Sequence, residues 1–301
     1  MLSKKVFEET RNKELVVIRG ELMHMEVMSK RKQFSCENYI SNESEYKIED
    51  FVVMALKLNI SLLIFDDFSI SDKKKFLQSL EKESHKFLSL QDIYKELSKK
   101  AFSFDDIIKQ IKMSYLEKEN PIIIGSRKTI KNGTIASVKK LLSELRKQYE
   151  IICLKTNDKK VLKWAALDRR IDYIVLDASY NSQVIDKALC SLMKQSNKYF
   201  EFVFSPLFQA TTEKELSTVI RNSKKMLKII KSYNVPFILS MNPSTPYQLR
   251  NSSQMRYIGE FLDIPYNKTK ENSFDYQFSN LVKNVIKLDE THLFEGVREV
   301  S

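Results

Sequence analysis

Short runs of apolar, largely β-branched residues recur along the chain, each bounded by polar residues or proline, with stretches of helical periodicity between them. That alternation predicts repeated strand–helix units and a parallel sheet. Seven runs predict strands: Leu15 to Leu22, Ser61 to Phe65, Pro121 to Gly125, Glu150 to Leu154, Tyr173 to Leu176, Phe200 to Phe204 and Val235 to Ser240. Most are continuous instead of alternating, so their residues are expected to be buried on both faces, as in a barrel or a doubly wound sheet. Helical spacing predicts helices over Ser137 to Tyr149, Lys159 to Leu167, Ser182 to Gln195 and Glu213 to Tyr233. In the last of these, at about 100° per residue, Leu216, Val219, Ile220, Met226, Leu227 and Ile230 gather on one side and Lys214, Arg221, Lys225 and Lys228 on the other. Such a helix is expected to lie on the sheet with a basic face turned to solvent.

No internal repeat, long linker or low-complexity tract interrupts this pattern, and five glycines and six prolines mark no domain boundary. A single α/β domain over residues 1–301 is the economical expectation. Residues 72–119 hold two or three charged helical stretches where a simple unit needs one, which predicts a charged helical elaboration.

The charge balance adds a partner class. Fifty Lys and Arg stand against 39 Asp and Glu, a formal net charge of +11. A field of that sign attracts polyanions, nucleic acid first among them, although a Lys-rich composition can also serve solubility alone. Cys36, Cys153 and Cys190 are odd in number and far apart, as expected of reduced thiols. Met1 to Asn12 has no apolar segment, and nothing approaches the roughly 18 apolar residues of a membrane span, so a cytoplasmic protein without a membrane partner is expected.

The chemistry of a catalytic centre is missing from the motifs. Metal-dependent barrel hydrolases need several His and carboxylate ligands converging from strand ends, and only His24, His85 and His292 occur, none paired with another. The chain has no Gly-x-Ser-x-Gly elbow, no Gly-x-Gly-x-x-Gly turn and no P-loop, so neither a nucleotide cofactor nor a bound metal is expected. Cys153, inside Ile-Ile-Cys-Leu, reads as a buried apolar filler.

Basic residues instead load the segments that follow the strands. Arg127, Lys128 and Lys131 come after the third strand, ahead of an Asn132-Gly133 turn, and Lys155, Lys159 and Lys160 come after the fourth. After the seventh comes Asn242-Pro243-Ser244-Thr245-Pro246-Tyr247-Gln248-Leu249-Arg250. In parallel barrels such loops share one rim, and Lys, Arg, hydroxyl and amide groups gathered there suit phosphate and sugar contacts. Tyr180 and Tyr247 are candidates for stacking on unpaired bases, with plain packing as the commoner role of a single aromatic.

Five segments then follow one another in a recognisable order: Ala165-Ala166-Leu167-Asp168-Arg169-Arg170-Ile171-Asp172-Tyr173-Ile174, Gln195-Ser196-Asn197-Lys198-Tyr199-Phe200-Glu201, Val235-Pro236-Phe237-Ile238-Leu239-Ser240, Pro246-Tyr247-Gln248-Leu249-Arg250 and Glu295-Gly296-Val297-Arg298-Glu299-Val300. Over about Ile151 to Val300 the chain resembles the ribonuclease P protein component 3 family, with its eukaryotic p30-type relatives. The resemblance implies a TIM-like α/β barrel of about seven parallel strands, akin to the polymerase and histidinol phosphatase hydrolases but without their metal site. It implies a subunit that supports the catalytic RNA in removing the 5′ leader from precursor tRNA. It implies further that the RNA, expected to need magnesium, performs the hydrolysis. The implied partners are that RNA, the Pop5-like protein component 2 and other ribonuclease P proteins, with precursor tRNA met indirectly.

Asp168-Arg169-Arg170 precedes a strand and belongs to the opposite rim. An ion-pair clamp and an RNA contact are equally open readings for Arg169 and Arg170, and Lys198 and Arg250 share the ambiguity. Two other functional readings stand beside the RNA subunit: a stand-alone barrel phosphoesterase with a degenerate metal site, and a protein-binding scaffold whose basic faces only solubilise it.

Overall fold

Seven parallel strands lie side by side in the order in which the chain makes them: β1 (Cys36–Ile40), β2 (Leu62–Asp66), β3 (Ile123–Lys131), β4 (Ile151–Lys155), β5 (Tyr173–Asp177), β6 (Tyr199–Val203) and β7 (Phe237–Ser240). The computed structural model describes residues 36–40, 45–81, 122–178, 184–265, 276–288, 292–294 and 297–298, with single positions between 90 and 110. The chain divides into one unit over Met1–Gln33 and another over Phe34–Ser301, and the described residues all lie in the second. Between the strands run α1 (Ile48–Lys57), α2 (Ile70–Glu81), α3 (Ile135–Gln148), α4 (Lys159–Leu167), α5 (Lys187–Gln195), and the pair α6 (Ser205–Gln209) and α7 (Glu213–Ser232). After β7 come α8 (Ser252–Phe261), α9 (Tyr276–Lys287) and an antiparallel pair, β8 (His292–Phe294) with β9 (Val297–Arg298).

A strand order that never reverses is barrel topology, since a doubly wound sheet has a switch point where the order turns back. The two edge strands meet: the backbone N–H of Met241, just past β7, donates to both carboxylate oxygens of Glu37 in β1 at 3.1 Å. β3 shows how the sheet curls. Its first half pairs with β2, Leu62 opposite Ile123 through Asp66 opposite Arg127, and its second half pairs with β4, Arg127 opposite Ile151 through Lys131 opposite Lys155. That offset between neighbours is the stagger that lets a sheet bend into a barrel.

Alternate side chains along each strand serve different cores. Ile152, Leu154, Ile174, Leu176, Phe200, Phe202 and Leu239 pack with Val138, Leu142, Val161, Leu189, Met226 and Leu227 of the outer helices. Their neighbours Ile151, Cys153, Tyr173, Val175, Val203 and Ile238 pack instead with Phe278, Leu281, Val282, Val285 and Ile286 of α9. α9 therefore covers the other face of the sheet, which is why the strand runs are continuously apolar. Gln277 donates from Nε2 to the Leu239 carbonyl at 3.0 Å, fixing that helix to β7. Gly125 makes room for it, because a Cβ there would stand 2.9 Å from Ile64 Cγ1 and 3.4 Å from both Leu281 methyls. Gly125→Val is expected to overpack this layer and destabilise the chain by about 1–3 kcal/mol, read as a lower midpoint in urea unfolding; an unchanged midpoint would show that α9 yields freely.

Left-handed backbone positions fall almost entirely on Asn and Asp: Asn59, Asp67, Asn132, Asn197, Asn234, Asn242 and Asp263 all have positive φ, and Gly133 completes the turn after β3 at +115°. These residues tolerate that region better than other side chains, so a chain with five glycines still closes its helices and turns. Among the described residues no helix is long and apolar enough to cross a membrane.

The structure departs from the sequence-based expectations in particular places. The strand expected over Leu15 to Leu22 lies outside the described residues, and β1 is the strand that pairs with β2. β3 continues through Ser126-Arg127-Lys128-Thr129 to Lys131, a polar stretch expected to be loop. Leu216 is exposed because the first five residues of α7, Glu213 to Ser217, all stand clear of the core. Of residues 72–119, the described positions put Leu90 and Tyr94 in the cluster around α9; the remainder beyond Glu81 lies outside what is described apart from single positions.

Candidate nucleic-acid interface

At the rim where strands β4 to β6 begin, charges are consumed internally. Arg146 in α3 pairs with Asp172 at 2.6 Å, and the same carboxylate accepts from the Ile152 N–H at 2.8 Å and the Asn284 amide at 2.9 Å. Glu150 accepts from the Ser126 N–H at 2.8 Å and holds the ammonium of Lys73. Arg170 clasps Asp168 through Nε at 3.0 Å and NH2 at 2.7 Å, and this bond holds the Asp168 carboxyl below the usual carboxylate range. Arg170 is thus tied into the turn that leads into β5, while Arg169 beside it is exposed.

Lys198, expected at the surface, is buried. Its ammonium donates to the carbonyls of Ala165, at 2.7 Å, and Asp168, which ties the start of β6 to the end of α4. It is a structural tie and is withdrawn from the candidate contacts. Burial lowers its pKa from 10.5 to about 8, against the smaller opposing pull of Asp168 and Asp172. Because the folded value is depressed, the unfolded chain binds the extra proton between about pH 8 and 10.5, and Lys198 makes stability rise with pH across that window. The stability difference between wild type and Lys198→Met is expected to grow in favour of wild type by about 2 kcal/mol from about pH 7 to about pH 9.5, measured by urea unfolding at each pH; a pH-independent difference would contradict this.

Arg127 corrects a second expectation. Its side chain is 0% exposed and forms a two-pronged pair with Glu201 of β6, NH1 to Oε1 at 2.7 Å and NH2 to Oε2 at 2.6 Å. Nε donates to Thr129 Oγ1 at 3.0 Å and lies 3.8 Å from Asp66. Burial pushes the Asp66 carboxyl up, and the Arg127 charge pulls it back. No RNA reaches a guanidinium so enclosed. Burial likewise pushes the Cys153 thiol well up and Cys190 up to about 11, so both stay protonated. Among the described residues no three His, Cys, Asp or Glu side chains converge as a metal ligand set.

The other cations stand at the rim where strands end. Lys131 closes β3, exposed, opposite Lys155 at the end of β4, and the Asn132 N–H donates to the Lys155 carbonyl at 2.9 Å. Lys128 pairs with Asp67, and Lys155 with Asp177 at 2.7 Å, so both are partly neutralised. Lys159 and Lys160 open α4, exposed and without an ion pair among the described residues. Asp158 caps that helix, accepting from the Lys160 N–H at 2.7 Å. Two cations in a first turn oppose the helix dipole, which costs about 0.3–1 kcal/mol each, a cost that a polyanion laid over the turn would offset.

Arg250, on the loop after β7, donates from NH1 to the carbonyls of Tyr247 and Leu249. Sequence reasoning missed Lys139 and Lys140, exposed on α3, with the Lys139 ammonium 5.7 Å from the Trp164 ring of the next helix. It also missed Phe208 and Tyr46, whose signal was only an aromatic in a polar loop or at a helix end. Tyr180, His24 and His85 lie outside the described residues, and His292 falls in β8.

The profile of RNase P subunit p30 matches residues 54–286, most of the chain. The chain belongs to the RNase P subunit p30 family. The match begins well upstream of the segments that carried the resemblance in sequence. This p30-family chain is 21% identical over 131 residues to ribonuclease P protein component 3 of Natronomonas pharaonis. The alignment takes in 44% of this chain and spans about half of that relative, 53% of its length. In fold the p30-family chain is similar to a chain in the cryo-EM structure of archaeal ribonuclease P with mature tRNA, with a TM-score of 0.59 at 17% identity over 89% of this chain and 98% of that one. Histidinol phosphate phosphatase of Lactococcus lactis gives a TM-score of 0.41 at 11% identity, over 76% and 92% of the two chains.

Proposed function

We propose that this chain is a ribonuclease P protein subunit that binds and supports the catalytic RNA during removal of the 5′ leader from precursor tRNA. The observation that carries the reading, beside family membership, is the unequal use of charge at the two rims. Where the strands begin, Arg146 and Arg170 are paired and Lys198 is buried, which leaves Arg169 exposed, whereas Lys131, Lys159 and Lys160 gather at the surface where the strands end. Phosphates neutralised there release counterions, which drives RNA binding with little readout of sequence. Lys128 in β3 and Lys155 at the end of β4, each paired with a carboxylate, and Arg250 on the loop after β7 are the further candidate contacts, and Arg169 is the candidate on the other rim.

In this reading the protein stabilises a folded RNA, and the hydrolysis with its magnesium belongs to the RNA. The Pop5-like component 2 is the expected protein partner, joined by other ribonuclease P proteins. The chain added with component 2 to the cognate RNA at low magnesium is expected to raise cleavage of precursor tRNA, measured as release of a labelled 5′ leader. No increase over RNA alone would overturn the proposal.

A further inference from the structure

The loop after β7 carries a surface that phosphate neutralisation does not use. Tyr247, in the one-turn helix Pro246–Gln248, is 71% exposed, the most of any large hydrophobic side chain among the described residues. Tyr46 meets its ring edge-on, with centroids 6.3 Å apart. Phe208, at the end of α6, is 51% exposed and has the Arg250 guanidinium 5.6 Å over its ring. Arg250 is fixed to the same turn, since NH1 donates to the carbonyls of Tyr247 at 2.8 Å and Leu249 at 2.9 Å. The turn itself is held from both sides. Leu249 is buried in the cluster of α1 and β2, and the Ser244 N–H and hydroxyl both donate to Gln248 Oε1, at 2.7 and 3.1 Å. Rings and cation are therefore set in place by the fold.

A second group of exposed aromatics shows what is particular about this one. On α8, Tyr257 and Phe261 are 60% and 54% exposed, with Arg256 and Lys224 against their rings. There the cations are answered by carboxylates, Arg256 by Glu260 at 3.7 Å and Lys224 by Asp263 at 3.1 Å. Arg250 has no carboxylate partner among the described residues. Among the described residues, the β7 loop alone combines exposed rings with an immobilised guanidinium that no carboxylate pairs. An apolar protein partner has no use for that charge, whereas an unpaired nucleotide matches both parts, a flat π-face for the ring and a phosphate for the cation.

We infer that Tyr247, Phe208 and Arg250, with Tyr46 bracing Tyr247, form a stacking site for an unpaired nucleotide of the RNA. The inference rests on the reading of the chain as an RNA-binding subunit. The contact is sequence-tolerant, because every base offers a π-face.

The test compares two probes on the full-length chain at low salt by fluorescence anisotropy: labelled single-stranded oligoadenylate of about 12 nucleotides and a duplex of the same length. Tyr247→Ala and Phe208→Ala are each expected to weaken single-strand binding about tenfold and to leave duplex binding within about twofold. Tyr247→Phe, which keeps the ring, is expected to bind as wild type does. Thermal unfolding confirms that these exposed substitutions leave the fold intact. Equal losses on both probes, or no loss on either, would overturn the inference alone. A wild-type chain that binds neither probe would overturn it together with the RNA reading. Should Tyr247→Ala spare both affinities but abolish association with protein component 2, the patch is a protein interface and the inference is wrong.

Discussion

Arg127→Met is expected to destabilise the folded chain by about 3–5 kcal/mol, enough to lower the unfolding midpoint far more than any surface change. The reason is the partner left behind. Glu201 and Arg127 are both fully enclosed, and with the guanidinium removed the carboxylate keeps its burial and loses its bidentate donor. Asp66 loses its nearest cation as well. Replacing both partners, Arg127→Met with Glu201→Met, is expected to recover most of the loss, since a buried pair exchanged for apolar side chains of similar volume is often neutral. Urea unfolding of the two single variants and the double variant closes a double-mutant cycle. A single variant as stable as wild type but deficient in RNA binding would return Arg127 to the RNA surface and contradict the buried pair.

Combining Lys131→Ala, Lys159→Ala and Lys160→Ala is expected to do the opposite, sparing the fold and striking the interface. All three side chains are exposed, and removing Lys159 and Lys160 relieves an unfavourable pairing with the α4 dipole, so stability should hold or rise slightly. Affinity for the ribonuclease P RNA should fall, and the slope of log K against log salt should flatten by about 2 to 3, roughly 0.7–0.9 for each lost phosphate contact. Filter binding across a salt series measures both quantities. An unchanged slope with unchanged affinity would move the RNA surface away from this rim.

Strands buried on both faces announced themselves in the sequence as short continuous apolar runs, and β2, β4, β5, β6 and β7 fall within a residue or two of where the runs lie. β3 did not, because its second half is Ser126-Arg127-Lys128-Thr129. Those residues become strand only when Arg127 meets a carboxylate 74 positions away. α9 was overlooked for another reason. Phe278, Leu281, Val282, Val285 and Ile286 recur at helical spacing, but such a stripe does not say which face of the sheet it covers. The same logic divides the candidate site. Lys131, Lys159 and Lys160 are exposed, as a cation beside a predicted strand end is expected to be. Lys198 was misplaced since its acceptors, the carbonyls of Ala165 and Asp168, are 33 and 30 residues distant, and backbone carbonyls leave no mark in a sequence. The turns were readable only in part: a chain poor in glycine hides its left-handed positions in Asn and Asp, of which Asn197, Asn234 and Asn242 are examples.

The most direct test of the chain as a ribonucleoprotein subunit is to recover it, tagged, from its own cells under native conditions and sequence the RNA that comes with it. Ribonuclease P RNA is expected to be enriched far above its share of total RNA, and to be lost as salt is raised. Recovery of no RNA, or of RNA only in proportion to cellular abundance, would contradict the assignment.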